Sequence, residues 1–168
     1  IVDNSPASCY QNQTLQRVVL PSESKANPNA LQMVKVHSNQ EPPSGAGPFF
    51  SVITCTFNSA EYLLETIESV ERQSYGSFEH IFVDAFSSDA TVAMIEAYRA
   101  RCPTRVTLHQ LPAKGISNAM NAGIGLARGE VILHLHGDDR LASATVLEVV
   151  RDRFAASGAS IVVGNCML

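Results

Sequence analysis

Charged residues are scarce in this sequence, and basic residues are not in excess. Asp, Glu, Lys and Arg make up 17% of the 168 residues, the formal net charge is −4 and the sequence pI is about 5.7. A protein that binds nucleic acid or an anionic membrane surface by general attraction needs an excess of Lys and Arg. The composition therefore argues against both classes, and we expect no nucleic-acid partner.

Paired cysteines and membrane-spanning runs are also lacking. The four cysteines, Cys9, Cys55, Cys102 and Cys166, lie far apart and include no C-x-x-C pair. This spacing fits neither a zinc ribbon nor a compact disulfide framework, and we interpret them as free thiols of a reducing compartment. No apolar run approaches the roughly 20 residues that cross a bilayer, and no signal peptide is visible.

Two common nucleotide-binding motifs are missing as well. No G-x-G-x-x-G follows the first predicted strand, which argues against a dinucleotide-binding Rossmann site. No G-x-x-x-x-G-K-[ST] occurs anywhere, which excludes a P-loop. A nucleotide site in this chain must therefore be built from other residues.

The character of the chain changes near residue 48. Residues 1–48 are rich in Asn, Gln, Ser and Pro and end in a Pro- and Gly-containing run, so we interpret them as a polar N-terminal arm or linker. Two short apolar pieces of this arm, 15–20 and 31–36, are candidates for strands that pack on something else. Residues 49–168 have the pattern of a folded domain.

The second part repeats a strand, a loop and a helix about every 25 to 30 residues. The strands are predicted at 49–54, 80–84, 106–111, 131–135 and 161–163. They are apolar on both faces, which is typical of parallel strands covered by helices. The pattern predicts an α/β fold: an open, mostly parallel, Rossmann-like sheet with helices on both faces.

Several helix ends carry capping signals. Residues 58–61 have the capping-box form ahead of the first helix, and 87–89 supply N-cap chemistry for the second. The third helix is predicted over 117–128, with Gly129 as its C-terminal cap, and the fourth over 143–156.

Polar side chains follow several of the predicted strands. Ligands of open α/β sheets bind at the carboxyl ends of the strands, so these residues are candidates for one site. Asp138 and Asp139 suit a hard cation such as Mg²⁺ or Mn²⁺, with phosphate oxygens completing its shell. Asp84 is placed to bind a base or ribose, and Thr56 and Asn58 to contact the same ligand. The alternative is that the two aspartates only cap the following helix.

The run 134–139, HLHGDD, permits a second interpretation. It resembles the H-x-H-x-D-H zinc signature of metallo-β-lactamase-like hydrolases, and strand alternation places His134 and His136 on one face. However, Asp139 stands where that signature ends in His, and the run lies in a fourth βα unit, where that fold would not place it. A metal-dependent hydrolase is kept as a distant alternative, with His134 read as a packed strand residue.

Four segments, in order and at matching spacing, carry a stronger resemblance. Residues 51–58, SVITCTFN, are similar to SVI-x-PTYN, and 78–91 to FEHIVVD-x-x-STDGT. Residues 114–124, KGISNAMNAGI, are similar to KGIYDAMNKGI, and 127–139 to an ATGE…LNSDD segment that ends in a DxD-type motif. Over 49–168 the chain resembles the family 2 glycosyltransferases, which have the GT-A fold.

The resemblance implies roles for individual residues. Asp139 would be the ligand of Mn²⁺ or Mg²⁺, and Asp138 would contact the ribose or assist the metal. Asp84 would face the nucleobase. The remaining residues that the resemblance places at the nucleotide are Cys55, Thr56, Phe57, Asn58, Lys114, Gly115 and Asn118. The chain departs from the family pattern at Cys55, Ala85, Phe86, Asn118 and His136, which leaves base selectivity open.

The resemblance also implies an activity. Family members transfer a sugar, with inversion, from a nucleotide-diphosphate sugar (UDP-, GDP- or dTDP-linked) to a glycan or lipid-linked acceptor in polysaccharide or glycoconjugate synthesis. We expect a cytoplasmic location, at the inner face of a membrane.

In the family an acceptor-binding half follows and holds the catalytic base, so we expect that base beyond Leu168 and little transferase activity from a truncated chain. An apolar face left for that half would favour homo-oligomers. The alternative is a non-catalytic module that binds nucleotide sugars or a partner.

Overall fold

The computed structural model describes residues 32–35, 47–157 and 161–163, with side chains for 47–157. The described residues form these elements: β1 Gln32–Lys35, β2 Phe50–Thr56, α1 Leu63–Glu71, β3 Phe78–Asp84, α2 Thr91–Arg101, β4 Val106–Gln110, α3 Ile116–Leu126, β5 Val131–His134, α4 Val146–Ser157 and β6 Ile161–Val163. In this part of the chain, no helix combines the length and the apolarity needed to cross a membrane.

The six strands form one sheet in the order β4-β3-β2-β5-β1-β6. β2 pairs in parallel with β3 and with β5, and β3 pairs in parallel with β4. β1 runs antiparallel to both β5 and β6, so β6 has the same direction as β5. The prediction of an open, mostly parallel sheet is confirmed, with β1 as the one strand of opposite direction among those described.

Helices cover both faces of the sheet because neighbouring strand residues point to opposite sides. Val52 packs in one cluster with Leu147 of α4, whereas Ile53, the next residue, packs with Ala119 of α3. Phe82 of β3 lies on the Val52 side, in a cluster with residues of α1 and α2. The predicted arrangement of helices on both faces is confirmed.

The strand order also creates a crevice. The chain runs from β2 outward to β3 and β4, and then returns to place β5 on the other side of β2. Open α/β sheets bind ligands outside the carboxyl ends of their strands, at the point where the strand order reverses. Here that point lies between the ends of β2 and β5.

Part of the predicted N-terminal arm belongs to the sheet. The apolar piece at 31–36 contains β1, whose residues pair with β5 and β6, so the prediction of a strand there is confirmed. The piece at 15–20 lies outside the described residues. The division of the chain at residue 48 stays a prediction.

The predicted capping box at 58–61 is wrong. α1 begins at Leu63, and its N-cap residue, Tyr62, makes no capping hydrogen bond through its side chain. Asn58 instead has a φ of 49° and accepts a hydrogen bond from the Ser88 N–H, so its side chain serves a contact between loops. The N-cap residue of α2 is Ala90, which makes no capping hydrogen bond through its side chain, but Asp89 just before it accepts from the Thr91 N–H at 3.0 Å through Oδ1, so the predicted segment 87–89 does bond to the first turn of α2.

Two further helix boundaries differ from the prediction. α3 ends at Leu126, and Gly129 is not its cap. A Cβ at Gly129 would lie 2.6 Å from the backbone nitrogen of Ser51, so glycine is required there for close packing. α4 begins at Val146 rather than at 143, because the backbone before it bonds elsewhere: the Ser143 carbonyl accepts from the side-chain amide of Gln73.

Candidate functional site

A cleft opens at the carboxyl edge of the sheet, beside the ends of β2 and β5. It has a volume of about 300 Å³, which is in the range of small-ligand sites. Its walls come from the ends of these strands and from the beginnings of α1 and α3. The lining residues are Cys55, Ser59, Tyr62, Ile116, His136, Gly137 and Asp138.

The turn after β5 brings an acidic side chain into this cleft. Asp138 is exposed and lines the cleft, and Asp139, the next residue, is half-buried. The turn is closed by a hydrogen bond of 3.0 Å from the Asp139 N–H to the His136 carbonyl. Because α4 begins only at Val146, the alternative that the two aspartates cap this helix is wrong.

The cleft is acidic. A hydrogen bond with Glu61 and the charge of Glu61 raise the pKa of Tyr62 above its usual value, with smaller contributions from desolvation and from the charge of Asp138. Of the residues that the structure describes, no Lys or Arg lines this cleft. The site therefore favours a cation over a bare anion.

Asp84 lies at the same edge but is buried. Its carboxylate accepts hydrogen bonds from the hydroxyl of Thr56 at 2.9 Å, the Ser87 N–H at 2.9 Å, the Ser87 hydroxyl and the Gln110 amide at 3.1 Å. Burial raises the pKa of Asp84, but these hydrogen bonds outweigh it, so the pKa lies below its usual value. A carboxylate accepts about four hydrogen bonds, and here the chain supplies four. The role of Asp84 at a nucleobase stays a prediction.

The loops after β2 and β3 are bonded to each other. The Asn58 N–H donates to the Ser87 hydroxyl at 2.9 Å, and the Ser88 N–H donates to the Asn58 side chain at 2.9 Å. Within these loops Asn58 and Phe86 have positive φ angles, of 49° and 55°. The paired loops hold the rings of Phe57 and Phe86 largely exposed to solvent at this edge.

The start of α3 contributes another part of the cleft lining. Gly115 precedes the helix with a φ of 87°, a left-handed conformation that glycine adopts without strain. Ile116 lines the cleft, whereas Lys114 and Asn118 are exposed nearby in sequence and are not among the lining residues. On the β2 side, burial raises the pKa of the Cys55 thiol to about 11, so this lining side chain is neutral at pH 7.

The structure thus brings only some of the predicted residues into the lining. Cys55 and Asp138 line the cleft, whereas Asp139 is not among the lining residues and the buried Thr56 and Asp84 bond to each other. Sequence reasoning missed Ser59, Tyr62 and Ile116 as lining residues. The signal was available, because all three stand between a strand end and the first turn of the helix that follows it.

The described residues hold no group of three or more His, Cys, Asp or Glu side chains that could bind a metal by themselves. The H-x-H-x-D-D set is therefore not assembled. The Nδ1 atom of His134 is buried without a hydrogen-bond partner, and burial, with a smaller effect of His136, lowers the pKa of His134. Two adjacent carboxylates remain, a set that suits a cation whose shell is completed by phosphate.

Fold and site together define an α/β protein with an acidic ligand cleft at its strand-order switch. The family model "Glycosyl transferase family 2" matches residues 51–168, and the chain belongs to this family of glycosyltransferase enzymes. This family assignment replaces the alternative interpretation of the chain as a metal-dependent hydrolase.

Curated relatives agree with the assignment. A PGL/p-HBAD biosynthesis glycosyltransferase of Mycobacterium bovis is 36% identical over 102 residues, which are 61% of this chain and 40% of that protein. The glycosyltransferase GlyG of Streptococcus pneumoniae is 30% identical over 115 residues, covering 68% of this chain and 38% of that protein. The chain therefore spans about 40% of the length of these relatives.

Solved structures show the same GT-A fold. Staphylococcus aureus TarS 1-349 in complex with UDP-GlcNAc has a TM-score of 0.61 and 28% identity, covering 65% of this chain and 32% of TarS. The mannosyltransferase PcManGT of Pyrobaculum calidifontis, in complex with GDP-Man and Mn²⁺, has a TM-score of 0.60. It is 23% identical, over 72% of this chain and 36% of PcManGT, so that likeness bears on the fold alone.

Proposed function

We propose that this chain binds the donor of a glycosyltransferase, a nucleotide-diphosphate sugar whose sugar passes to an acceptor hydroxyl. The observation that carries the proposal is the acidic cleft at the switch between β2 and β5, with Asp138 in its lining and Asp139 beside it. The likeness to TarS, which was solved with UDP-GlcNAc, supports a nucleotide sugar as the ligand.

The charge of the cleft supports a divalent cation as part of the site. A nucleotide diphosphate is an anion, and the lining offers it Asp138 but no Lys or Arg among the described residues. Mg²⁺ is commonly held by one or two carboxylates together with substrate phosphates. Asp139 as the ligand of Mg²⁺ or Mn²⁺, and Asp138 at the ribose or the metal, fit this pattern.

The surrounding residues would position the donor. Tyr62 and Ile116 line the cleft and offer an aromatic and an aliphatic surface to a bound donor. α3 begins at Ile116, and the positive end of its helix dipole favours a phosphate group nearby. When bound, Mg²⁺ or Mn²⁺ would offset the charge that develops on the diphosphate as its bond to the sugar breaks.

The transfer we propose inverts the sugar. The acceptor hydroxyl attacks the anomeric carbon opposite the leaving diphosphate, and a general base takes the hydroxyl proton. We assign this base to none of residues 47–157. The acceptor would be a glycan or a lipid-linked sugar, in polysaccharide or glycoconjugate synthesis at the cytoplasmic side of a membrane.

Calorimetric titration of the chain with UDP-, GDP- and dTDP-sugars, with and without Mn²⁺, tests the donor site. We expect one nucleotide to bind, and Mn²⁺ to strengthen its binding at least about tenfold, or about 1.4 kcal/mol. The absence of binding for all three nucleotides, in Mn²⁺ and in Mg²⁺, would refute the proposal.

A further inference from the structure

Helix α1 and the residues just after it carry three buried polar side chains. Thr66, Ser69 and Gln73 are 1%, 2% and 8% exposed. Thr66 and Ser69, three residues apart, lie on one face of α1, and Gln73 lies just beyond the end of this helix. A face that packs into a protein is normally apolar, so the partners of these three side chains call for an explanation.

All three side chains bond to the backbone of the segment that follows β5. The Ser69 hydroxyl accepts from the Leu141 N–H at 3.0 Å. The Gln73 amide donates to the Ser143 carbonyl at 2.7 Å and accepts from the Leu147 N–H at 3.1 Å. These two residues therefore hold the approach to α4, beyond the cleft.

Thr66 bonds to the acidic turn itself. Its hydroxyl lies 2.7 Å from the Asp139 carbonyl oxygen and 3.0 Å from the Gly137 carbonyl oxygen. The two carbonyls flank Asp138, and one hydroxyl proton is shared between them. The turn is thus fastened to α1 from its buried side, while Asp138 faces the cleft on the other.

We propose that Thr66 is a positioning residue for the Asp138–Asp139 pair, and that its hydroxyl sets the affinity of this pair for a divalent cation. The inference rests on the proposed donor site. Without the hydroxyl, two carbonyls would lose their shared donor and the turn would be free to change shape. Groups that orient metal ligands typically change metal affinity by about 10- to 100-fold when they are removed.

The test compares three variants by the electron paramagnetic resonance signal of free Mn²⁺ during titration, with UDP at saturation. Thr66→Val keeps the shape of the side chain and removes the hydroxyl, and we expect about tenfold weaker Mn²⁺ binding. Thr66→Ser keeps the hydroxyl and should bind Mn²⁺ as the unmodified chain does. Thr54→Val is the control, because it removes a buried hydroxyl that bonds to His80 Nε2 at 2.9 Å.

The outcomes separate this inference from the proposed function. If the unmodified chain binds neither Mn²⁺ nor UDP, nor GDP or dTDP in place of UDP, the donor site itself is refuted. If it binds both and Thr66→Val binds Mn²⁺ equally well, Thr66 does not position the pair. Equal weakening in Thr54→Val and Thr66→Val would also overturn the inference, because the loss would then follow from general destabilisation.

A measurement on the unmodified chain covers the case in which Thr66→Val does not fold. When Mn²⁺ and UDP bind, amide hydrogen exchange should slow both in the turn 137–139 and in residues 66–70 of α1. Slowing confined to the turn would overturn the inference, because a positioning contact must transmit the change to α1.

Discussion

The two edges of the sheet hold their carboxylates in opposite ways. At the amino edge, Glu79 is 3% exposed and accepts hydrogen bonds from the Ser51 hydroxyl at 2.7 Å, the Arg128 N–H at 2.7 Å and Arg128 Nε at 2.9 Å. At the carboxyl edge, Asp138 is exposed and lines a cleft. The Glu79 carboxylate is hydrogen-bonded by its own chain, whereas the Asp138 carboxylate faces solvent and is free to bind a ligand.

Asp84 shows that a position at the carboxyl edge does not by itself leave a carboxylate free for a ligand. It stands at the carboxyl edge, like Asp138, yet it accepts four hydrogen bonds from its own chain and is enclosed, as Glu79 is. Its bonds tie the ends of β2, β3 and β4 together, because Thr56 ends β2 and Gln110 ends β4. A site residue in an α/β sheet is therefore recognised by its hydrogen-bond partners as well as by its strand.

Gly129→Ala should have the largest effect on stability, because Gly129 packs tightly against the backbone at the amino edge of the sheet. The new Cβ would lie 2.6 Å from the Ser51 backbone nitrogen, so the backbone must shift. We expect a loss of about 3 kcal/mol in the free energy of unfolding, measured by urea denaturation. Gly125→Ala in α3 is the control, because nothing lies within 4 Å of its Cβ and alanine favours a helix. Equal stabilities of the two variants would contradict the tight packing at Gly129.

Glu79→Gln should have the next largest effect on stability. The amide cannot accept all the hydrogen bonds that Ser51 and Arg128 donate, and bonds to a charged group each contribute about 1.5 to 3 kcal/mol. We expect a loss of about 2 kcal/mol in urea denaturation, with UDP and Mn²⁺ affinities unchanged. The exposed Glu96→Gln, which breaks only an ion pair with Arg99, should change little. Weakened UDP binding in Glu79→Gln would show that the two edges are coupled.

His80→Gln should change how the stability of the protein depends on pH, because His80 is buried in the sheet between the two edges. Burial lowers the pKa of His80 from 6.5 to about 3. Below about pH 6.5 the unfolded chain therefore protonates His80, whereas the folded chain keeps it neutral down to about pH 3. The free energy of unfolding consequently falls as the pH falls from about 6.5 towards 3, by up to about 1.4 kcal/mol per pH unit.

The variant keeps a hydrogen-bonding group for Thr54 but does not titrate. Urea denaturation at about pH 6 and about pH 5 should show a shallower loss of stability than in the unmodified chain. An unchanged slope would mean that His80 is not held neutral in the fold.

Asp139→Asn should have the smallest effect on stability and a clear effect on binding. The turn keeps its backbone hydrogen bonds, so thermal unfolding should not change. Binding of UDP in the presence of Mn²⁺ should weaken at least about tenfold, or about 1.4 kcal/mol. The exposed Asp152→Asn on α4 serves as the control for a lost negative charge. Unchanged affinity in Asp139→Asn would remove this residue from the metal site.

Strand and helix positions could be predicted because their signals are local. β3 is buried along its whole length, and its apolar run was visible in the sequence. The error at 58–61 has a different origin: Asn58 bonds to Ser88, which is 30 residues away. No local pattern reveals such a distant partner. The Asn58 side chain bonds to the loop after β3 instead of capping α1. The same holds for Gly129, whose reason for being glycine is the backbone of Ser51.

The sequence by itself determined the α/β class, the parallel direction of the strands and the edge at which polar residues gather. These follow from apolarity and spacing along the chain, which short-range physics governs. The tertiary structure alone decided that Asp84 is enclosed by its own chain and that Thr66 fastens the acidic turn. Those facts depend on contacts between residues 26 and 73 positions apart, which exist only once the sheet and α1 have packed.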